Sequence, residues 1–188
     1  MKKICVFCGS SSGNNNIYSR YAETLGQLLV ENSIDLVYGG GDIGLMGTIS
    51  RTVLKNGGHV TGIIPELLHE KVPHVELSEL KIVKNMHERK ALMYNLSDGF
   101  ICLPGGIGSL EEVLEAFTWL QLGYHKKPVC LINVGGYYNH LIKQLEVMVN
   151  EGFMKKGHFD SLIIKENFNG IIEEMRSLPV KTVDKWSK

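Results

Sequence analysis

The chain carries no excess of charge of either sign. Its 20 lysines and arginines are matched by 20 aspartates and glutamates. That balance lacks the basic footprint of a dedicated nucleic-acid binder and leaves room only for a local patch, so no nucleic-acid partner is expected. Long apolar runs are missing as well. Lys2 and Lys3 precede only the short run Ile4–Cys8. A secretory core needs about 7–15 apolar residues and a membrane helix about 20, and no later stretch reaches either. The reading is a cytoplasmic protein with no membrane partner. Histidines at ligand spacing are also lacking. His69, Glu70 and His74 come nearest, one residue too long for a metalloprotease motif and interrupted by Pro73. Neither a metal nor a cofactor is expected. In a reducing compartment Cys5, Cys8, Cys102 and Cys130 would be thiols. Cys5 and Cys8 could suggest a redox pair or half a zinc site. They lie in a strand-like run, where an offset of three points to opposite faces, so they read as buried structural cysteines.

What is present is ordinary globular material with one anomaly. Of 188 residues 44% are hydrophobic, enough for a core that removes roughly 70% of the unfolded chain's surface. No linker rich in proline or serine divides the chain. One domain over residues 1–177 and a polar tail over 178–188 is the economical reading. The anomaly is glycine: 21 residues, with clusters at 39–41, 57–58, 105–106 and 135–136.

Short apolar runs alternate with amphipathic ones. Strands are expected at 4–8, 34–38, 59–64, 80–83, 99–103, 129–133 and 162–165. Helices are expected at 17–32, 45–56, 86–96, 110–122, 137–150 and 168–177. Continuous runs such as Phe100–Leu103 and Val129–Ile132 suit strands buried on both faces. Alternation of this kind predicts an α/β fold, a mostly parallel sheet of about seven strands with helices on both faces.

Ligands of such sheets bind beyond the carboxyl ends of the strands, so the loops leaving strands carry the interest. The first offers Gly9, Ser10, Ser11, Ser12 and Gly13 before a helix, either an anion-binding loop or a polar loop with a cap. The second contains Gly39, Gly41 and Gly44 in G-x-G-x-x-G spacing. The ribose-binding acid expected about 20 residues on has no clear counterpart, since Glu66 follows Pro65. A wall that touches a nucleotide is preferred to a full NAD site. The fifth exit, Pro104-Gly105-Gly106-Ile107-Gly108-Ser109, runs from an apolar strand into a helix and can aim several N–H groups at one phosphate. Ser109-x-x-Glu112 is equally the grammar of a capping box. Arg89 and Lys90 could bind phosphate or ribose, or could simply face solvent.

Taken together, Met86-x-x-Arg89-Lys90 and Pro104-Gly105-Gly106-x-Gly108-Ser109-x-x-Glu112 resemble the Lonely Guy (LOG) family of cytokinin riboside 5′-monophosphate phosphoribohydrolases. Further likeness lies in Cys8–Ser11, Tyr38–Gly47, Thr118-Trp119-x-x-Leu122-Gly123, Lys127–Val129 and Gly136–Tyr138. The resemblance implies a Rossmann-like homodimer that hydrolyses the N-glycosidic bond of a nucleoside 5′-monophosphate. AMP or an N6-modified AMP would give free base and ribose 5-phosphate. It implies catalytic roles for Arg89 and Glu112. Substrate contacts would fall on Gly105, Gly106, Ile107, Gly108 and Ser109, on Leu110 and Glu111 beside them, and on Lys90 and Thr118. Gly9, Ser10, Gly40 and Gly41 would line the pocket. Serine at 109 replaces the family's usual threonine and keeps the hydroxyl. The family's further acidic residue has four candidates here, Glu66, Glu70, Glu76 and Glu79. Some relatives carry an older "lysine decarboxylase" label, but no lysine here sits in a recognisable pyridoxal-phosphate site. Two other classes stay open: a nucleotide or molybdopterin carrier without turnover, and an NAD-dependent oxidoreductase using Gly39–Gly44. Trp119 and Leu122 lie off their helix's apolar stripe, marking either an interface or packing under a loop.

Overall fold

A computed structural model describes residues 1–71 and 76–177. His74 and Pro73 of the histidine motif, and the tail from residue 178, lie outside the described residues. Seven strands form one sheet: β1 (Lys3–Phe7), β2 (Asp35–Tyr38), β3 (Val60–Pro65), β4 (Glu79–Val83), β5 (Gly99–Cys102), β6 (Val129–Ile132) and β7 (Leu162–Lys165). Their spatial order is β4-β3-β2-β1-β5-β6-β7, and every pairing is parallel.

The helices are α1 (Ile17–Glu31), α2 (Gly44–Lys55), α3 (Glu66–His69), α4 (Met86–Leu96), α5 (Ile107–Gln121), α6 (Asn139–Asn150), α7 (Lys156–Phe159) and α8 (Ile171–Ser177). Alternation along the strands divides the core into two layers. Ile4, Val6 and Cys8 of the first run join α1, α2 and α8 through Leu25, Ile49 and Ile172. Cys5 and Phe7 face the other way, onto α4, α5 and α6 through Met93, Phe117 and Leu145. The two cysteines therefore do occupy opposite faces, and all four are buried free thiols. Each fully buried large apolar side chain stabilises the sandwich by about 1.5–3 kcal/mol. Among the described residues no helix is long and apolar enough to cross a membrane.

The strand order sets the location of a site. From β1 the chain moves outward through β2 and β3 to β4, then α4 carries it back to β5 on the other side of β1. The loops after β1 and β5 consequently leave in opposite directions and open a crevice between them, where open α/β sheets bind ligands.

Candidate active site

At that crevice the Gly9 N–H donates to the Pro104 carbonyl at 3.1 Å, joining the two loops. Beside them lies a cleft of about 260 Å³, walled by residues 9–13, Tyr18, Leu45, residues 104–106 and Tyr137. Among the described residues no charged side chain lines it. Its polar surface consists of backbone groups, serine hydroxyls and phenols. Tyr137 donates to the Gly105 carbonyl at 2.7 Å, and its ring meets that of Tyr18 edge-on at 5.6 Å. Gly9, Ser10, Gly105 and Gly106 are thus brought together as their sequence positions suggested.

α5 begins earlier than its apolar spacing indicates, at Ile107 rather than Leu110. Gly106 is its N-cap and gives no side-chain cap bond. The first-turn N–H groups are left to backbone or ligand acceptors, in the direction that favours an anion. Gly106 and Gly108 adjoin open space where a side chain would stand. Ser109 is the third helical residue, buried with its hydroxyl packed under Gly105. It cannot cap a helix that has already started. The capping box is accordingly absent, and Glu112 points elsewhere.

Glu112 meets Arg89. The Arg89 Nη1 donates to Glu112 Oε1 at 2.6 Å, and its Nε donates to the Ile63 carbonyl of β3 at 3.1 Å. Both side chains are buried. Burial pushes the Glu112 carboxyl above its ordinary range. The Arg89 charge and hydrogen bond oppose this without cancelling it. Asn85 caps α4 by accepting from the Glu88 N–H at 3.0 Å, so Arg89 sits in the first turns of a well-started helix.

The remaining candidates divide. The buried Lys90 ammonium is paired with Glu111 and, at 3.1 Å, with Glu115. Burial pulls its pKa down, but the two carboxylates more than restore it, leaving it above the ordinary lysine value. Thr118 is exposed further along α5 and donates to the Leu114 carbonyl at 2.7 Å, away from the cleft. Leu110 and Glu111 follow the first turn of α5. Gly40 and Gly41 are buried and do not line the cleft; Gly40 packs on Ile63 and Ile64 of β3. Glu79 opens β4 at the far end of the sheet and pairs with Lys81 at 2.7 Å. Glu66 starts α3 at the carboxyl end of β3, on the side of the crevice, with Glu70 just after it. Glu76 is exposed. Trp119 packs edge-on against Tyr94 of its own chain at 4.9 Å, while Leu122 stays partly exposed.

Three contributors escaped the sequence reading. Tyr18 and Tyr137 wall the cleft. Gly39 has a packing role: a β-carbon there would fall on the Arg89 guanidinium. The Gly136–Tyr138 pattern pointed toward Tyr137. Nothing local marks Tyr18, and Gly39 was read as a nucleotide contact.

Residues 46–175 match a family model described as "Possible lysine decarboxylase". The chain is 53% identical over 154 residues to cytokinin riboside 5′-monophosphate phosphoribohydrolase LOG7 of Arabidopsis thaliana, covering 81% of this chain and 71% of that one. Against the same-named LOG5 of that plant it is 48% identical over 177 residues, covering 94% and 78%. Among solved structures, the molybdenum cofactor binding protein from Rippkaea orientalis superposes with a TM-score of 0.70 at 23% identity, covering 94% of this chain and 97% of that one. The Moco carrier protein from Chlamydomonas reinhardtii does so with 0.70 at 18% identity, covering 93% and 95%. At those identities the two structures share the fold alone.

Proposed function

The chain belongs to the cytokinin riboside 5′-monophosphate phosphoribohydrolase (LOG) family, and on that premise we propose that it hydrolyses the N-glycosidic bond of AMP or an N6-modified AMP. The observation that carries this reading is the buried Arg89–Glu112 pair, held on the carbonyl of Ile63 at the carboxyl end of the sheet, the end that also carries the donor-lined cleft. The 5′-phosphate would be held by the N–H groups of residues 105–109 and by the hydroxyls near Ser10, which need no net positive charge.

As the bond to the base breaks, its electron pair goes to the base and positive charge grows on the ribose. The Glu112 carboxylate stabilises that charge and orients the ribose hydroxyls or the water. Arg89 restrains the rise in the Glu112 pKa and holds the carboxyl in place. Water adds its oxygen to the ribose and the departing base gains a proton, giving free base and ribose 5-phosphate. Binding energy from the phosphate is used at the reacting bond.

Incubation with a panel of nucleoside 5′-monophosphates and the matching nucleosides, followed by chromatography for free base, tests this. AMP or its N6-modified form should react and adenosine should not. Glu112→Gln and Arg89→Ala should each cut base release by about a hundredfold or more, with melting curves showing that the fold survives. Equal turnover of adenosine and AMP would remove the phosphate anchor. Binding of AMP without any base release would leave a carrier module instead.

The same reading includes a homodimer. Met86, Ile107, Leu114 and Leu122 are exposed apolar residues of α4, α5 and the turn after it, and a second copy would cover them. Light scattering at the assay concentration should give twice the chain mass. A fully active monomer would exclude the dimer.

A further inference from the structure

α4 and α5 meet along a ladder of side chains, and Arg89–Glu112 is only its first rung. In the second, the Lys90 ammonium sits between Glu111 and Glu115. In the third, the Tyr94 hydroxyl donates to Glu115 Oε2 at 2.7 Å and lies 3.2 Å from the Glu112 carbonyl oxygen. Residues 90 and 94 share one face of α4, and residues 111 and 115 share one face of α5, because each pair is four apart. The Tyr94 ring is packed on two sides. It packs edge-on against Phe100 at 5.4 Å and Trp119 at 4.9 Å, so its hydroxyl is a fixed point on the sheet side.

Glu115 joins the second rung to the third. Without its charge, Lys90 would depend on Glu111, whose side chain is 49% exposed. An ion pair with so exposed a partner holds geometry poorly. A neutral amide at 115 has one oxygen to offer where the carboxylate offers two, one to Lys90 and one to Tyr94.

We propose that Glu115 is a positioning residue: by clamping Lys90 and the Tyr94 hydroxyl together it fixes α5 against α4 and so holds Glu112 at Arg89. The inference rests on the reading that Arg89 and Glu112 carry the chemistry. Glu115 acts through Glu112 and takes no direct part in the reaction. The phosphate loop is the start of α5, two turns before Glu115, and it has its own ties, the Gly9 N–H to the Pro104 carbonyl and the Tyr137 hydroxyl to the Gly105 carbonyl, so the clamp bears on Glu112 and the chemical step more than on phosphate binding.

Two variants test it, Glu115→Gln, which keeps shape and removes charge, and Tyr94→Phe, which keeps the ring and removes the hydroxyl. Each should lower kcat for base release by about ten- to a hundredfold, the effect of a small misplacement of a reacting group, with KM for the monophosphate unchanged. In the ligand-free protein, an NMR titration of the Glu112 side-chain carboxyl should show a displaced midpoint in Tyr94→Phe, a change that alters no charge. Folded variants with the parent's kcat and the parent's midpoint overturn the proposal. So does a loss of kcat that only follows a lowered melting temperature and a raised KM, since that is the mark of packing. If Glu115→Gln fails to fold, Tyr94→Phe carries both readouts. If the parent releases no base from any monophosphate, the functional reading fails, and the Glu112 midpoint still decides the clamp.

Discussion

At the scale of single residues, position 39 shows how a missing atom can matter to chemistry. A β-carbon on Gly39 would occupy the space of the Arg89 guanidinium, which is held from its other side by the Ile63 carbonyl. Gly39→Ala should therefore move Arg89 off Glu112, because the backbone of β3 cannot yield as readily as a side chain. We expect kcat for base release to fall by about a hundredfold. Glu112 would also lose the charge that restrains its pKa, so the carboxyl would rise further and the acid limb of the pH–rate profile would move to higher pH. Wild-type kcat with an unmoved acid limb would show that Arg89 tolerates the methyl group. Arg89 and Glu112 could each be singled out from sequence, but their contact could not. They are 23 residues apart, and the pair exists only because α4 and α5 pack on the same face of the sheet. The local alternative for Glu112, a capping box, fails for a reason no motif displays: the helix has already begun at Ile107.

At the scale of elements, what was legible follows from periodicity. Runs such as Val129–Ile132 are buried throughout, and a strand buried on both faces has no alternation to misread. All seven expected strands form, and the expected helices differ only at their ends. Those ends are set by backbone geometry. α6 starts at Asn139, two residues after the expected Tyr137, and is preceded by Gly135 and Gly136 with φ of 56° and 78°. Left-handed residues cannot sit in a right-handed helix, so residues 134–136 form a turn, and Tyr138, with φ −99° and ψ 12°, is the N-cap from which α6 starts. That turn delivers Tyr137 to the Gly105 carbonyl. Conversely, the glycines at 106 and 108 looked like loop, and the second of them is helical. The four-residue helices α3 and α7 are too short for any hydrophobic period to register. Thus the elements were readable where burial determines them and obscure where glycine conformation does.

At the scale of the whole molecule, the two ends of the sheet have separate duties. The carboxyl end carries the crevice, the Arg89–Glu112 pair and the glycine turns. A cleft lined by neutral donors can hold a phosphate in a chain with no net charge, which reconciles the glycine excess with the balanced composition. At the amino end, Asp98 ties β1 to the chain entering β5 by accepting from the Lys2 and Lys3 N–H groups at 2.5 and 3.0 Å. Partial burial pushes its carboxyl up, but the two backbone hydrogen bonds prevail and hold it below the usual range. A group whose pKa is depressed in the folded state stabilises that state above its unfolded pKa, near 3.9 for Asp. That contribution is lost as pH falls through the folded value. Asp98 is exposed, so its share is modest, about 1 kcal/mol for charge-assisted bonds discounted for solvent. Asp98→Asn should lower the melting temperature at pH 7 by about 2–4 °C in a chain of this size. The gap should begin to shrink as the pH falls past the unfolded Asp value near 3.9 and close only once it has passed the depressed folded value, where the native side chain is itself neutral. Base release measured well below the melting temperature should be untouched, since the tie lies at the opposite end of the strands from Glu112. A gap that keeps its full size in acid would mean that the Asp98 contribution is steric, and a parallel loss of kcat would mean that the two ends are coupled through β1 and β5.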